Sequence, residues 1–272
     1  MENKQPIVLR KNFRFVCFGI LLLFAFVFSL FYWNLISNNK DEKEYKGYIT
    51  LWFDDGMQST YDIAYPIIKK NGWIAVLAVI SDRNVALEKY EEVDSVMTWE
   101  QVIDIQNNGG WEISNHSLSH SHLNSIENKP ELEREILLPL EVLRSKSLNV
   151  RSFTFPYGEQ GNILGQEIVS DNHGYWRSSV PGINPIPAWR HLTAYFFNED
   201  TTEEEVIDLI RKTEDSGGWL ILGLHSTLRN PVTEWEHTPN QLKSLLKIID
   251  DSTLEVVVPS DLFDKFGYAE DK

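Results

Sequence analysis

The segment Tyr-Ile-Thr-Leu-Trp-Phe-Asp-Asp-Gly, residues 48–56, decides the fold. A nearly continuous apolar run ends abruptly here in two carboxylates and a glycine. Such runs are typical of strands in a parallel sheet with both faces covered by helices. The runs that predict strands are Tyr48–Phe53, Ile74–Ile80, Trp111–Ser114, Ser152–Phe155, Tyr175–Val180, Leu192–Phe197, Trp219–Leu224 and Leu254–Val258.

Helices are predicted between these strands from their starting residues. Thr98 with Gln101, and Thr201 with Glu204, have the spacing of a capping box, in which each side chain bonds the other residue's backbone N–H. The alternation of strands and helices predicts an α/β fold, an irregular TIM-like barrel of β/α units. An open doubly wound sheet is the alternative.

A helix is also predicted from Pro130 to about Ser147, because proline suits the first turn and leucines recur at core-facing spacing. Pro139 falls inside this pattern. Since proline lacks the N–H that an interior helical position needs, we expect a kink there or two shorter helices.

Polar residues follow four of the predicted strands at the point where each one ends. Asp54 and Asp55 follow the first, His116 the third, Tyr157 the fourth and His225 the seventh. In a β/α barrel the carboxyl ends of the strands meet on one face, where the chemistry takes place. We therefore expect these side chains to share one site.

The histidines His116 and His120 are four residues apart, so on a helix both imidazoles would point to the same side. With Asp55 they supply three ligands for a metal ion and leave a position for water, as a catalytic zinc site requires. The alternative is an ordinary Asp-Asp-Gly turn and two exposed loop histidines.

Other candidate residues have weaker individual signals. Asp54 should face away from Asp55, toward a substrate, because successive strand side chains alternate. His225 can act as a general acid or serve as a structural histidine. Tyr157, between proline and glycine, either aims its N–H at an oxyanion or fills a tight turn. Trp176 is a candidate for stacking on a sugar, although most of the nine tryptophans must lie in the core.

A stretch of 22 residues without a charge, Phe15–Ile36, is long enough to cross a bilayer as a helix. Basic residues precede it and acidic residues follow it, which favours a cytoplasmic N-terminus. We expect a cytoplasmic tail at 1–14, a transmembrane signal anchor at 15–36, a linker at 37–46 and one outer domain at 47–272. A cleaved signal peptide is the alternative.

The charge distribution argues against one class of partner, nucleic acid. Residues 1–40 contain five basic residues and one acidic residue, so residues 41–272 carry a formal charge of −19, against −15 for the whole chain. Binding to nucleic acid needs a basic surface, and we expect none. Cys17 is the single cysteine, so the outer domain has no disulfide. No obligate protein partner is evident from the sequence.

Taken together, these segments resemble the polysaccharide deacetylases of the NodB-homology group, carbohydrate esterase family 4. The resemblance extends over about residues 46–265, with the motifs in the family's order. The matching segments are Phe53-Asp54-Asp55-Gly56, His116-Ser117-x-x-His120, Phe155-Pro156-Tyr157-Gly158 and Leu224-His225.

The resemblance implies an irregular (β/α)7 barrel that removes acetyl groups from an N-acetylated glycan, using metal-activated water. It implies these roles: Asp54 as general base, Asp55, His116 and His120 as ligands of a divalent metal, usually Zn²⁺, the Tyr157 N–H as oxyanion donor, and His225 as general acid. The products would be acetate and a free amino sugar.

Several residues depart from the family's pattern. Thr154 occupies the place of an arginine that orients the catalytic aspartate, and we predict that Arg190 supplies this guanidinium instead. Trp52 replaces a common threonine. Gly223 stands where a leucine often lines the acetyl pocket, which predicts a wider pocket. The fourth motif is matched only loosely, around Trp176.

The leading hypothesis is therefore an N-deacetylase of glycans outside the cytoplasmic membrane, with its catalytic domain anchored through residues 15–36. A catalytically inactive glycan-binding domain and an amidohydrolase of a smaller amide are the alternatives. The glycan, which could be peptidoglycan, a chitin-like chain or an exopolysaccharide, is left open by the sequence.

Overall fold

A nine-stranded parallel sheet forms the centre of the protein in the computed structural model, which describes residues 44–269. The strands are β1 Gly47–Phe53, β2 Val76–Val79, β3 Glu112–Asn115, β4 Val150–Thr154, β5 Tyr175–Arg177, β6 His191–Leu192, β7 Tyr195–Phe196, β8 Trp219–Leu224 and β9 Leu254–Val256. The predicted strand over 192–197 is two separate short strands, β6 and β7.

The strands follow the order β6-β5-β4-β3-β2-β1-β8-β7, and β9 pairs with β1. β1 is therefore central. One of its edges carries β8, whereas β9 pairs with its first residues and β2 with its last. The result is an α/β fold with a curled, half-barrel sheet of distorted TIM type. The prediction of a TIM-like α/β fold is confirmed at this level, with the sheet ending at β6 and β7.

Both faces of the central strands are buried, as the apolar runs indicated. Ile49, Leu51 and Phe53 of β1 belong to the larger hydrophobic core. Trp52 belongs to a second cluster that includes Trp219 of β8. Removing an aliphatic or aromatic side chain of this size from water contributes about 1.5–3 kcal/mol. This burial holds the strand end that carries the two aspartates.

Helices connect the strands, and within residues 44–269 none is long and apolar enough to cross a membrane. The predicted anchor at 15–36 lies outside the described residues. The helices are α1 Tyr65–Lys70, α2 Arg83–Tyr90, α3 Trp99–Gly109, α4 Lys129–Ser145, α5 Ile163–Asn172, α6 Glu203–Ser216, α7 Pro239–Asp251 and α8 Pro259–Phe266.

One predicted capping box is confirmed and the other is shifted. Thr98 and Gln101 form the box at the start of α3. At α6 the pair is Thr202 with Glu205, one residue later than predicted. The hydroxyl of Thr201 is already occupied, because it donates to Asn198 Oδ1 at 2.9 Å and accepts from the Asn198 N–H at 3.0 Å.

Pro139 lies inside α4, which runs unbroken from Lys129 to Ser145, so the expectation of two shorter helices was wrong. Proline has no N–H for the carbonyl four residues earlier, which is that of Glu135. This carbonyl instead accepts a hydrogen bond from the backbone N–H of Leu118 at 3.0 Å. The interior proline therefore joins α4 to the loop that contains His116 and His120.

Replacing this proline tests the connection. In Pro139→Ala the helix regains an N–H that competes with Leu118 for the carbonyl of Glu135. Weakening one hydrogen bond, worth about 1 kcal/mol, should speed amide exchange across residues 116–120 by about fivefold. Hydrogen–deuterium exchange of this peptide is the measurement. Leu138→Ala, at a neighbouring position that is 40% exposed, is the matched control; equal protection in both variants would contradict the prediction.

Candidate metal centre and catalytic cavity

A cavity of about 600 Å³ opens at the carboxyl ends of the strands. Asp54, Asp55, His116, Tyr157 and His225 all line it. The strand-end residues that the sequence singled out are thus brought to one place, as expected for the catalytic face of a β/α fold. His120 lines the same cavity.

Asp55, His116 and His120 form a compact cluster whose members are each at most 7% exposed. Asp55 Oδ1 lies 3.4 Å from Nε2 of His116 and 3.4 Å from Nε2 of His120. Two ligands about 2.0–2.1 Å from a tetrahedral Zn²⁺ are separated by roughly 3.3–3.4 Å. The spacing and the chemistry of this donor set therefore fit a divalent metal ion.

Two further observations support this fit. Asp55 Oδ1 is a buried carboxylate oxygen without a hydrogen-bond partner among the described residues. Nδ1 of His116 lies 2.8 Å from the carbonyl oxygen of Thr154. Since that carbonyl can only accept, Nδ1 donates, and Nε2 presents its lone pair toward Asp55. A metal-ligating histidine is commonly fixed in its tautomer in this way.

The two histidines do not converge on a helix, so that part of the sequence prediction was wrong. Residues 116–120 form an irregular loop in which Ser117 and His120 have positive φ angles of 63° and 56°. The loop is shaped by side chains: Asn115 Oδ1 accepts from the Ser117 N–H, and Ser117 Oγ accepts from the His120 N–H. The imidazole centroids nevertheless lie 4.8 Å apart.

The loop is fixed to α4 by more than the Leu118 hydrogen bond. The carboxylate of Glu135, itself buried, accepts from the backbone N–H of Ser119 at 3.0 Å and from its hydroxyl at 2.9 Å. Asn115 Nδ2 donates to the carbonyl of Ile136 at 2.8 Å. The ligands are thus supported by a rigid element, which keeps a metal site preorganised.

Backbone strain is concentrated at this site. Of the described non-glycine residues with positive φ, Asp55, Ser117, His120 and Tyr157 belong to the cavity or to the histidine loop, and Ser147 does not. Left-handed conformations cost about 1–3 kcal/mol each and persist where the surrounding structure imposes them. The fold therefore holds the site in a locally unfavourable backbone geometry.

The electrostatics keep Asp55 and His120 in the protonation states that bind a cation. Burial alone would raise the pKa of Asp55, but the adjacent imidazoles of His116, His120 and His225 hold that pKa well below its ordinary value. Burial lowers the pKa of His120 to about 3. An ionised carboxylate and a neutral imidazole are the forms that bind metal.

Asp54 has a different partner from Asp55. Nη2 of Arg177 donates to both carboxylate oxygens of Asp54, at 2.6 and 2.5 Å, and both residues are at most 3% exposed. The predicted arginine, Arg190, instead donates to the carbonyls of Ser170, His173 and Gly174. The assignment of Arg190 is therefore corrected to Arg177.

The reason is visible in the register of the sheet. Arg177 on β5 is the direct neighbour of Thr154 on β4. The guanidinium missing at position 154 is thus supplied from the next strand, and it lies 5.2 Å from the ring centroids of both Trp52 and Phe196. Trp52, which replaces the usual threonine, forms one side of this enclosure.

The prediction of a wider acyl pocket at Gly223 was also wrong. A Cβ atom at this glycine would lie 2.7 Å from the ring of Phe196, so the ring occupies the space that a larger residue would take. Phe196 lines the cavity and stacks on His225 with centroids 5.5 Å apart. The apolar wall is therefore supplied by β7 rather than β8.

His225 and Tyr157 flank the cluster. His225 Nε2 lies 4.0 Å from Asp55 Oδ2, which places the imidazole beside the candidate metal ligands. The ring of Tyr157 lies 4.5 Å from that of His120 and stacks on His122 at 3.6 Å. Lys89 donates to the Tyr157 hydroxyl. Lys89 was not foreseen from the sequence.

Trp176, predicted to contact substrate, does not line the cavity. It alternates with Arg177 on β5, so its ring faces the other side of the sheet, where it stacks on His191 at 6.0 Å and contacts Arg190. The tryptophan that does line the cavity is Trp235, which was not predicted from the sequence. Its position in the loop that follows His225 is the feature of the sequence that could have predicted a place at the cavity.

Comparison with known families identifies the domain. A family model described as polysaccharide deacetylase matches residues 41–175, about half of the chain. The chain belongs to the polysaccharide deacetylase family, carbohydrate esterase family 4. It is accordingly a hydrolase of the carbohydrate esterase type. No curated protein matched the chain.

Solved structures show the same fold at low sequence identity. The Bc1960 peptidoglycan N-acetylglucosamine deacetylase is 17% identical, with a TM-score of 0.55 over 85% of this chain and 92% of that one. A family 4 carbohydrate esterase from Streptomyces lividans is 14% identical, with a TM-score of 0.50 over 79% and 93%. BA3943 of Bacillus anthracis, a CE4 pseudoenzyme, is 12% identical, with a TM-score of 0.52 over 82% and 66%.

Replacing each of the two arginines separately by methionine should distinguish their roles. Arg177→Met removes the group that orients Asp54, and we expect kcat for acetate release to fall by on the order of 100-fold. Arg190→Met should lower the thermal midpoint and leave kcat near that of the wild type. Zinc content equal to that of the wild type would show that the Arg177 variant retains its cavity. A large loss of kcat in the Arg190 variant alone would contradict the assignment.

The affinity of the site for Zn²⁺ should depend on pH through His116. Burial opposes protonation of this residue, but Asp55 and Asp54 raise its pKa above the ordinary value. The proton must leave before the metal binds, so affinity should fall about tenfold per pH unit below this pKa. His120, with a pKa of about 3, should not contribute. A competition titration with a chromophoric chelator measures the slope; a two-proton slope above pH 5 would contradict this prediction.

Proposed function

We propose that this enzyme removes N-acetyl groups from an N-acetylated polysaccharide outside the cytoplasmic membrane. The observation that carries the proposal is the Asp55–His116–His120 cluster, in which a buried carboxylate oxygen without a partner faces two imidazole nitrogens at 3.4 Å. Asp54 and His225 line the same cavity. This arrangement suits hydrolysis of an amide.

A divalent ion held by Asp55, His116 and His120, Zn²⁺ in our proposal, would polarise the acetyl carbonyl and lower the pKa of a water molecule. Asp54, in the same cavity, would serve as the general base. Arg177 fixes both oxygens of Asp54, so the carboxylate keeps one orientation during the transfer. Such orientation contributes to the rate because the acceptor stays within reach of the proton.

Residues on either side of the cluster stabilise the oxyanion and protonate the leaving group. Tyr157 lines the cavity with a left-handed backbone, φ 56°, and we assign its N–H to the oxyanion. His225 donates a proton to the departing amine as general acid. Phe196, stacked on His225, provides an apolar wall for the acetyl methyl group. Acetate and a free amino sugar leave the site.

The location is part of the proposal. Residues 15–36 form an uncharged apolar stretch preceded by basic residues, which favours a single-pass anchor with the catalytic domain outside the cell membrane. A polymer outside the membrane suits an enzyme held at its surface. The formal charge of −19 on residues 41–272 is compatible with a glycan that becomes cationic as its amines are freed.

The proposal is tested by acetate release from a panel of N-acetylated glycans: peptidoglycan, chitin oligosaccharides and poly-N-acetylglucosamine. The full chain, loaded with Zn²⁺, should release acetate from at least one of them. In Asp55→Ala the rate of acetate release should fall by more than about 100-fold, because the substitution removes a proposed metal ligand. Asp171, which is exposed and outside the cavity lining, provides the matched control Asp171→Ala, with activity within about twofold of the wild type.

Two results would contradict the proposal. If Asp55→Ala released acetate as fast as the wild type, the assigned metal site would be wrong. If the wild-type chain bound these glycans but released no acetate with any divalent ion, a glycan-binding domain would be favoured. Activity confined to small acetylated amides would favour the amidohydrolase.

A further inference from the structure

We propose that Trp235 forms a sugar-binding subsite at the mouth of the cavity, where the pyranose ring that carries the acetamido group packs against its indole. The inference rests on the proposed deacetylase function and adds the residue that recognises the sugar. Trp235 lines the cavity, yet 48% of its surface is exposed. Large exposed aromatic surface beside a reactive site marks a place where a ligand binds.

Among the described residues that line the cavity, two large hydrophobic side chains are exposed. These are Trp235 and Tyr157. The ring of Tyr157 is already in contact with His122, His120 and the ammonium of Lys89. The indole of Trp235 contacts Phe196 edge-on, at 85°, and is tilted by 59° against His225. Trp235 therefore retains ring surface that no stacked partner covers.

The position of the indole indicates which pyranose ring of the glycan it would contact. Its centroid lies 5.9 Å from that of His225 and 6.3 Å from that of Phe196. A substrate that places its acetyl methyl against Phe196 and its amide nitrogen near His225 would have its pyranose ring within reach of Trp235. The C–H groups of one pyranose face are apolar and match an aromatic surface.

Hydrogen bonds within the loop that carries Trp235 fix its conformation. The carboxylate of Glu236, only 4% exposed, accepts from the N–H groups of Val232 and Thr233 at 2.8 and 2.5 Å and from the Thr233 hydroxyl at 2.6 Å. The N–H of Trp235 donates to the same hydroxyl at 3.3 Å. The Glu236 carboxylate is thus occupied by hydrogen bonds within the loop, whereas the neighbouring indole of Trp235 can still contact a ligand.

Both ends of the loop are also joined to each other. Thr227 and His237 form a β-bridge, and the Thr227 hydroxyl lies 2.8 Å from Nε2 of the fully buried His237. The Leu228 N–H donates to the carbonyl of His237 at 2.9 Å. A preorganised aromatic surface loses little entropy when a sugar binds, which favours affinity.

Binding without turnover tests the subsite directly. The full chain, freed of divalent ions with EDTA, is titrated with tetramers of β-1,4-linked and β-1,6-linked N-acetylglucosamine, and Kd is measured by calorimetry. Trp235→Ala should raise Kd by on the order of tenfold, and Trp235→Phe by less, because it keeps an aromatic ring. Trp189→Ala, a tryptophan 39% exposed and outside the cavity, is the matched control and should leave Kd unchanged.

The kinetic readout separates binding from chemistry. With Zn²⁺ bound, Trp235→Ala should raise KM on the order of tenfold and change kcat less than about threefold, since it removes sugar contacts and no proton-transfer group. The subsite is refuted if Trp235→Ala binds and turns over like the wild type, or if neither tetramer binds the wild-type chain. If the tetramers bind through Trp235 and the Zn²⁺-loaded wild type releases no acetate, the subsite stands and the proposed function fails.

Discussion

The buried carboxylate of Asp55 is the constraint on which the rest of the site depends. Its Oδ1 atom has no hydrogen-bond donor among the described residues and faces two imidazole nitrogens at equal distances of 3.4 Å. Burying an anionic oxygen without a partner is costly, and a cation shared with two histidines removes that cost. The burial of β1 by the core, the left-handed turn at Asp55 and the supported histidine loop all serve to place these three groups.

The guanidinium beside Asp54 comes from β5 in this site, whereas the resemblance to the family had placed it on β4. Here Thr154 is small and Arg177 extends from the neighbouring strand, enclosed by aromatic rings. A similar exchange occurs at Gly223, where Phe196 of the adjacent strand fills the free volume. The chemistry is tied to positions in space rather than to positions in the chain.

Much of the fold and of the site could be predicted from the sequence because the signals are local. Apolar runs ending in Asp54, His116 and His225 predicted strands, and the common edge of a parallel sheet predicted that their ends would meet. Arg177 and Phe196 were missed because lateral register between strands depends on the loops that join them. The loop at 116–120 was taken for helical, since its shape is set by hydrogen bonds to α4, distant in sequence.

The interior proline of α4 has a consequence for inactivation by heat. The free carbonyl of this helix accepts a hydrogen bond from the histidine loop, so the helix cannot unwind around Pro139 without loosening the support of the candidate metal ligands. Local melting of α4 would therefore disturb the loop of His116 and His120 before the central strands unfold, which makes the packing of this helix a natural place to strengthen the enzyme against heat.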